Sequence, residues 1–293
     1  MDSSIRQYRI GDATVLRIVE TVLDTLSPAR VYPCWDAAAL DAHTSVLRPQ
    51  RGLDATGEHL LLNVNTWVIR FNGKTLLVDT GIGNGKDRPF SPLFHRLDNP
   101  YLAKLAAAGI EPQAVDYVLI THLHVDHVGW NTVWNGERWV PTFPNARYVF
   151  PAAERAFYET PAANDRRMVF DDSVAPVIAA GLADEIPATA TAFLDGIVFH
   201  PTPGHSPGHM SIALSSRGEE ALFSGDIAHH AIQAYRPDWN SVFCNDAAAA
   251  RASRRWAFDY AAERDAVMFT AHFPESSAGR ISRRGDGYAW EYV

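Results

Sequence analysis

Residues 121 to 130 read Thr121-His122-Leu123-His124-Val125-Asp126-His127-Val128-Gly129-Trp130, and four of these side chains are of types that bind metal ions. Residues 115 to 120, directly before them, are rich in β-branched and aromatic side chains and contain no Gly or Pro, which predicts a buried strand. Alternate side chains of an extended chain share a face, so His122 and His124 can converge on one ion. Asp126 and His127 follow where the chain must turn and can hold a second ion. The segment therefore predicts a site for two metals.

A single histidine is a weak signal, because most histidines are ordinary core or surface residues. Further candidates follow downstream, however. His205 lies in a Pro/Gly-rich loop at residues 200 to 209, and two apolar runs end in Asp226 and His272. Three predicted strands thus end in ligand-type residues, as a site along the ends of a sheet requires. The predicted metal ligands are His122, His124, Asp126, His127, His205, Asp226 and His272.

Taken in order, these motifs resemble those of the metallo-β-lactamase superfamily. They read H-x-H-x-D-H, then T-P-G-H-S-x-G-H, then S-G-D, then A-H, and Val78-Asp79-Thr80-Gly81 matches the first motif of the family. The resemblance covers about residues 60 to 275. It implies an α/β (α+β) fold, a four-layer αββα sandwich, and predicted strands and helices agree with two sheets between outer helices. We expect a single domain over residues 1 to 293.

The resemblance also implies how the ligands are shared. One ion would be held by His122, His124 and His205. The other would be held by Asp126, His127 and His272, with Asp226 bridging both ions.

The resemblance implies that Asp79 and His209 support the ligands rather than bind metal.

Two dications bridged by Asp226 would lower the pKa of a shared water and supply hydroxide at pH 7, so we expect hydrolysis. Asp126 is predicted to carry a proton as well as to bind metal. Imidazole and carboxylate ligands without a thiolate suit Zn²⁺, with manganese, iron or cobalt as alternatives. The pattern differs from the H-x-E-x-D arrangement of the flavin-coupled diiron branch.

Within the superfamily, the motifs look most like those of acyl-homoserine lactonases and methyl-parathion-type hydrolases. The expected substrate is a small hydrophobic lactone or ester, with aryl esters and phosphotriesters as further candidates. Lactonases of this branch often place a tyrosine three residues after the bridging aspartate, whereas this chain has His229 there, followed by His230. His229 is predicted to be catalytic by donating to the carbonyl or leaving oxygen, and the alternative is a supporting or surface residue.

Trp130, His230 and Trp239 are the predicted substrate-binding residues. Large aromatic side chains usually belong to the core. Trp130 and Trp239, however, lie close in sequence to ligand segments, which makes them candidates for the lining of an apolar pocket.

Composition excludes several classes of protein. A net charge of −8 argues against nucleic-acid binding, which favours a basic face. No basic-then-apolar segment begins the chain, and no run approaches the roughly 18 apolar residues of a membrane span. Cys34 and Cys244 are too few for a disulfide framework. We therefore expect a cytoplasmic protein that binds neither nucleic acid nor membrane.

Local patterns predict further elements. Hairpins are expected at residues 5 to 20, at 61 to 79 around Asn72-Gly73, and at 281 to 292. Helices are expected at residues 101 to 108, 152 to 158, 174 to 182 and 246 to 265. Residues 21 to 59 read as a long loop that covers the site or contacts a partner subunit, and the branch implies a homodimer.

Four alternatives stay open. A glyoxalase II-like thioesterase would use the same seven ligands, but it would need a basic patch that the sequence lacks. β-Lactamases do not share the bridging aspartate, and RNA-processing relatives need a basic exosite. A non-catalytic metal-binding scaffold is a candidate of another class, although it has no chemical need for seven intact ligands.

Nucleotide binding is not indicated, because residues 81 to 86 fail both glycine-rich nucleotide-binding patterns.

Overall fold

The computed structural model describes residues 6 to 293, so the predicted features of the first five residues, including the start of the first hairpin, lie outside the described residues. The strands are β1 (Gln7–Ile10), β2 (Ala13–Leu26), β3 (Leu60–Phe71), β4 (Lys74–Val78), β5 (Tyr117–Leu119), β6 (Thr132–Trp134), β7 (Trp139–Pro141), β8 (Arg147–Pro151), β9 (Ala183–Ile186), β10 (Thr191–Leu194), β11 (Ile197–Pro201), β12 (Met210–Ser216), β13 (Glu219–Phe223), β14 (Val267–Phe269), β15 (Ala278–Arg284) and β16 (Gly287–Tyr292). The helices are α1 (Pro28–Val31), α2 (Ala38–Ala42), α3 (Tyr101–Ala107), α4 (Ala152–Tyr158), α5 (Arg167–Ser173), α6 (Ala175–Ala179), α7 (Ile232–Tyr235) and α8 (Ala247–Glu263). Short 3₁₀ helices are Pro112–Ala114, Gly129–Asn131 and Pro161–Arg166.

The chain divides into two compact units. The first unit comprises Met1–Thr21 and Val64–Ala188, and the second comprises Val22–Asn63 and Thr189–Val293. Strands β2 and β3 each carry residues of both units. The single domain expected from the sequence remains a prediction, and each unit is described by itself.

Most strands of the first unit belong to a seven-stranded sheet in the order β1-β2-β3-β4-β5-β8-β9, and β6 and β7 form a separate two-stranded sheet. Strands β4, β5, β8 and β9 run parallel. Val78 pairs with Leu119, so the loops that follow β4 and β5 leave the same edge of the sheet. This edge is where parallel sheets place their functional loops, and the predicted ligand loop begins there.

Apolar side chains on both faces of β4, β5 and β8 are buried, as central parallel strands require. Leu77, Val118 and Tyr148 belong to one core cluster with Tyr101 and Leu105 of α3. Burial of each such side chain contributes about 1.5–3 kcal/mol, enough to hold the short strand β5 in register.

The turn between β3 and β4 confirms the predicted hairpin. Asn72 and Gly73 have φ angles of 50° and 72°, the left-handed values that a type I′ turn needs at both central positions. Strands β1 and β2 form the first hairpin over the described residues, and β15 and β16 form the last.

The second unit contains a seven-stranded sheet in the order β10-β11-β12-β13-β14-β15-β16. Strands β13 and β14 are parallel, and Phe223 pairs with Phe269. Asp226 and His272 each lie three residues beyond this pair, so the register places them at one level of the same sheet edge. Strand β11 is antiparallel to β12, which is antiparallel to β13, and the loop after β11 therefore leaves by that edge as well.

The four predicted helices correspond to α3, α4, α6 and α8. Asp246 caps α8, since its carboxylate accepts hydrogen bonds from the backbone N–H groups of Ala248 and Ala249. Residues 21 to 59 are more ordered than expected, because β2 continues to Leu26 and the short helices α1 and α2 follow. None of the helices in the described part of the chain is long and apolar enough to span a membrane.

Candidate metal-binding site

In the first unit, four predicted ligands form the histidine-loop cluster (His122, His124, Asp126 and His127). The ring of His122 lies 4.5 Å from that of His124 and 4.0 Å from that of His127, centroid to centroid. His127 Nε2 is 3.9 Å from Asp126 Oδ1. His122 and His127 are buried, whereas His124 and Asp126 are partly exposed. The loop after β5 thus gathers three imidazoles and one carboxylate as the sequence predicts.

Asp79 lies behind this loop and accepts hydrogen bonds from it. Its Oδ2 accepts hydrogen bonds from Thr121 Oγ1 at 2.9 Å and from His127 Nδ1 at 2.8 Å, and its Oδ1 accepts one from the Thr121 N–H at 2.8 Å. Because Nδ1 of His127 donates to this carboxylate, Nε2 is the nitrogen that would bind a metal. A carboxylate behind a ligating imidazole fixes the ring and raises its basicity.

Helix α4 holds the peptide between two predicted ligands. Glu154 Oε2 accepts a hydrogen bond from the Leu123 N–H at 2.9 Å, and the Tyr158 hydroxyl donates to the Leu123 carbonyl at 2.8 Å. Both side chains are buried. Leu123 lies between His122 and His124 in sequence, so this α4 pair (Glu154 and Tyr158) fixes the backbone of both histidines. Sequence reasoning missed the pair, because about thirty residues separate it from the loop.

Trp130 packs beneath the same loop. Its ring stacks on Tyr101 at 4.9 Å, and its Nε1–H donates to Glu20 Oε1 at 2.7 Å. The Glu20 carboxylate also accepts from the N–H groups of Ile82 and Gly83, and burial raises its pKa. These contacts favour a bracing role for Trp130, and its part in substrate binding stays a prediction.

Gly129 is required by close backbone packing. A Cβ atom at this position would lie 1.8 Å from the Ile82 carbonyl oxygen. The glycine-rich segment after β4 therefore passes against the end of the histidine loop.

In the second unit, three imidazoles surround one carboxylate in the Asp226 cluster (His205, Asp226, His229 and His272). Nε2 of His205 and Nε2 of His229 lie 3.3 Å and 3.4 Å from Asp226 Oδ2, and Nε2 of His272 lies 3.0 Å from Asp226 Oδ1. All four residues are buried. His229, which the sequence placed as a catalytic residue, thus lies beside the predicted bridging aspartate.

Backbone contacts set the positions of these side chains. His272 Nδ1 lies 2.7 Å from the Asn63 carbonyl oxygen, which directs Nε2 toward Asp226. His209 Nε2 accepts from the Asp226 N–H at 2.8 Å, and its Nδ1 contacts Thr202. His209 thus contacts the backbone of Asp226, and its role as a support of a metal ligand stays a prediction.

The His205 loop lies against the first turn of α8. A Cβ atom on Gly204 would lie 2.1 Å from the Ala250 nitrogen, and Gly204 has a φ of 129°. The backbone N–H of Asn245 donates to the His205 carbonyl at 3.0 Å. Glycine is thus needed for His205 to reach its position.

His230 and Trp239 have different surroundings. Nε2 of His230 donates to the Gly52 carbonyl at 3.0 Å, and Nδ1 accepts from the Ile232 N–H, so backbone groups use both nitrogens. Burial lowers the pKa of His230 to about 4. Trp239 is half-buried and packs on Trp35 at 5.5 Å. The substrate-binding roles of both residues stay predictions, and the contacts of His230 favour bracing.

The donor set fits divalent metal ions. The ligand atoms of His205, Asp226 and His229 lie within 4.8 Å of one another. Nδ1 of His127 and of His272 is engaged by an oxygen behind the ring, the arrangement typical of metal-binding histidines. Within residues 6 to 293, Nδ1 of His229 has no hydrogen-bond partner, which is costly for a buried polar atom.

Comparison with known proteins decides the family. The model of the metallo-beta-lactamase superfamily matches residues 60–272, more than half of the chain. The chain belongs to the metallo-beta-lactamase superfamily. Membership confirms the expected α/β superfamily fold. It is consistent with a metal-dependent hydrolase, the enzyme class that the sequence predicted.

Similar members of the superfamily include lactonases. An N-acyl homoserine lactonase of Bacillus cereus is 26% identical over 170 residues, which are 53% of this chain and 60% of that protein. The chain spans 60% to 66% of the length of the curated relatives it matches.

Two solved structures share the superfamily fold. The hydrolase AbOPH has a TM-score of 0.82 and 23% identity, with coverage of 100% of this chain and 98% of that one. The dizinc quorum-quenching lactonase AidC, in complex with a product, N-hexanoyl-L-homoserine, has a TM-score of 0.79 and 19% identity, with coverage of 99% and 97%.

Proposed function

We propose that the protein is a hydrolase of hydrophobic lactones and esters that depends on two divalent metal ions, most readily Zn²⁺. The proposed ligands are His122, His124, Asp126, His127, His205, Asp226 and His272. The observation that carries the proposal is the Asp226 cluster, in which buried imidazoles meet one carboxylate at 3.0 to 3.4 Å. The order of superfamily motifs supports the joint use of this cluster and the histidine-loop cluster.

Each residue has a chemical role in this proposal. Bound divalent ions would lower the pKa of water and polarise the substrate carbonyl. Asp126 is partly exposed and close to His127, so its carboxylate can take up the proton of the attacking water. His229 has its pKa lowered by burial and is therefore neutral at pH 7. A neutral imidazole can donate an N–H to the carbonyl or leaving oxygen of the substrate.

The substrate class rests on relatives and on the aromatic residues of the second unit. The curated relatives named as homoserine lactonases favour a lactone. Phe243 is exposed and lies 5.4 Å from the His229 ring, a position suited to an apolar acyl or aryl group. An aryl phosphotriester is a further candidate substrate from the predicted branch, and the homodimer remains a prediction of the same resemblance.

Hydrolysis by metal-quantified protein tests the proposal. The panel is short- and long-chain homoserine lactones, an aryl ester, an aryl phosphotriester and a glutathione thioester. We expect lactones and esters to be preferred, and we expect chelation and Asp226→Ala each to lower kcat/KM by more than about a hundredfold. Asp238→Asn, which changes an exposed carboxylate of the same unit, is the matched control and should leave activity unchanged.

Three results would contradict parts of the proposal. Preference for the thioester would assign the glyoxalase II-like reaction instead. Fewer than about 1.5 metal ions per chain under metal-replete conditions would contradict the dinuclear site. Two bound ions without turnover of any substrate would favour the non-catalytic metal-binding scaffold.

A further inference from the structure

Gln233, at the start of α7, has a fully buried side-chain amide, and its partners Tyr32, His229 and Trp239 lie within the second unit. Its Oε1 accepts hydrogen bonds from the His229 N–H at 2.7 Å and from the Tyr32 hydroxyl at 3.0 Å. Its Nε2 donates to the Trp239 carbonyl at 2.8 Å. One side chain thus connects three separate points of the unit.

Two of these points belong to the proposed substrate side of the site. The hydrogen bond to the His229 N–H fixes the backbone from which the imidazole reaches within 3.4 Å of Asp226. The hydrogen bond to the Trp239 carbonyl fixes the chain ten residues further on, where the indole packs on Trp35. Loss of the amide would release both segments, because buried backbone groups need a partner.

Tyr32 connects this arrangement to the segment between β2 and β3. Its ring packs on Trp239 at 5.9 Å, and its hydroxyl is buried against Gln233. The Gly52 carbonyl of the same segment accepts from His230 Nε2, the neighbour of His229. Through Tyr32, Trp35 and Gly52, the segment between β2 and β3 therefore packs on residues 229 to 239 of the second unit.

We propose that Gln233 is a positioning residue for the reaction, which orients His229 beside Asp226 and holds Trp239 in place, and that Tyr32 acts through it. The inference rests on the proposed function, because it assigns the reason why His229 is correctly placed. Gln233 itself touches neither the ligand set nor the substrate in this proposal.

A double-mutant cycle distinguishes positioning from a general structural role. Gln233→Met keeps the length of the side chain and removes its hydrogen bonds. We expect Gln233→Met to lower kcat by about tenfold or more in the wild-type background and by less than about twofold in a His229→Gln background, since coupled residues are not additive. Equal effects in both backgrounds would overturn the proposal. Gln113→Met, at an exposed glutamine, is the control.

A milder variant covers the case in which Gln233→Met does not fold. Tyr32→Phe keeps the ring against Trp239 and removes one buried hydrogen bond, so we expect kcat to fall about fivefold with only a small fall in melting temperature. Tyr260→Phe is the matched control, because its hydroxyl is bonded to Glu220 elsewhere in the unit. Equal kcat for Tyr32→Phe and wild type would contradict the part assigned to Tyr32.

A spectroscopic readout separates failure of this inference from failure of the proposed function. The imidazole NMR signals of His229, assigned by their loss in His229→Gln, should shift in zinc-loaded Gln233→Met and Tyr32→Phe. Unshifted signals would overturn the positioning role whatever the substrate is. Shifted signals together with an inactive wild-type protein would support the positioning of His229 and contradict the proposed reaction.

Discussion

At the scale of single residues, the site depends on oxygen atoms placed behind imidazoles. Asp79 adopts a left-handed backbone conformation with a φ of 58°, an uncommon value for a residue other than glycine. In this conformation its carboxylate accepts hydrogen bonds from both the Thr121 backbone N–H and His127 Nδ1. The strain is offset by three charge-assisted hydrogen bonds, which are stronger than neutral ones. The residue therefore serves the orientation of the ligands.

His230 makes stability depend on pH. Its pKa is lowered from 6.5 to about 4 by burial, so the folded protein binds fewer protons than the unfolded chain between these values. The stability from the neutral ring is therefore fully present above about pH 6.5 and is lost as the pH falls through 4. When the pH is lowered from 7 to 5, we expect the free energy of unfolding of wild type to fall by about 2 kcal/mol more than that of His230→Gln, as measured by urea unfolding.

The variant is chosen so that the comparison isolates one proton. Glutamine supplies both a donor for Gly52 and an acceptor for Ile232. Burial also lowers the pKa of His43, His200 and His229, and their common effect cancels in the difference. If the free energy of unfolding changes with pH by the same amount in the two proteins, His230 is not the group responsible for the loss of stability at low pH.

At the scale of elements, helix α4 positions a loop that it does not adjoin in sequence. The α4 pair engages both the N–H and the carbonyl of Leu123, so the peptide between His122 and His124 cannot rotate without breaking a buried hydrogen bond. The burial of Tyr158 raises the pKa of its hydroxyl, which therefore stays protonated and donating. The helix thus supports two of the proposed metal ligands.

Tyr158→Phe tests this support. We expect metal affinity to fall about tenfold, as typically follows the loss of groups that orient ligands, with a stability cost of about 1 kcal/mol. A competition titration with a chromophoric chelator measures the affinity. Tyr148→Phe removes another buried hydroxyl of the same unit, which donates to the Asn131 carbonyl and accepts from the Phe143 N–H. This control should lose at least as much stability as Tyr158→Phe, and an equal loss of metal affinity would contradict the specific role of Tyr158.

At the scale of the whole molecule, the proposed ligands come from four separate segments of the chain, around residues 122 to 127, 205, 226 and 272. Ligands that bind only the folded state stabilise it by mass action. We expect chelation to lower the melting temperature of wild type. If the free metal concentration is a hundredfold above Kd before chelation, the free energy of unfolding should fall by about 2.7 kcal/mol. Asp226→Ala should show a much smaller change. A melting temperature that chelation leaves unaltered would contradict metal binding by the folded protein.

The sequence by itself determined the family and most secondary structure, and it nominated the proposed metal ligands. H-x-H-x-D-H places its ligands within six residues, so local geometry alone brings them together, and the ends of β5, β13 and β14 could be read from apolar runs. The turn at Asn72-Gly73 was predictable for the same reason, because its conformation depends on two adjacent residues.

Only the tertiary structure decided which side chains support the proposed ligands. Glu154 contacts Leu123 across 31 residues, and Gln233 contacts Tyr32 across 201. Neither pair has a local pattern, because such contacts follow from the packing of distant elements. The same holds for Trp130, which lies close in sequence to the ligands but is buried against Tyr101 and Glu20. Local sequence motifs nominated the side chains proposed to bind metal, whereas the fold selected the side chains that hold them in place.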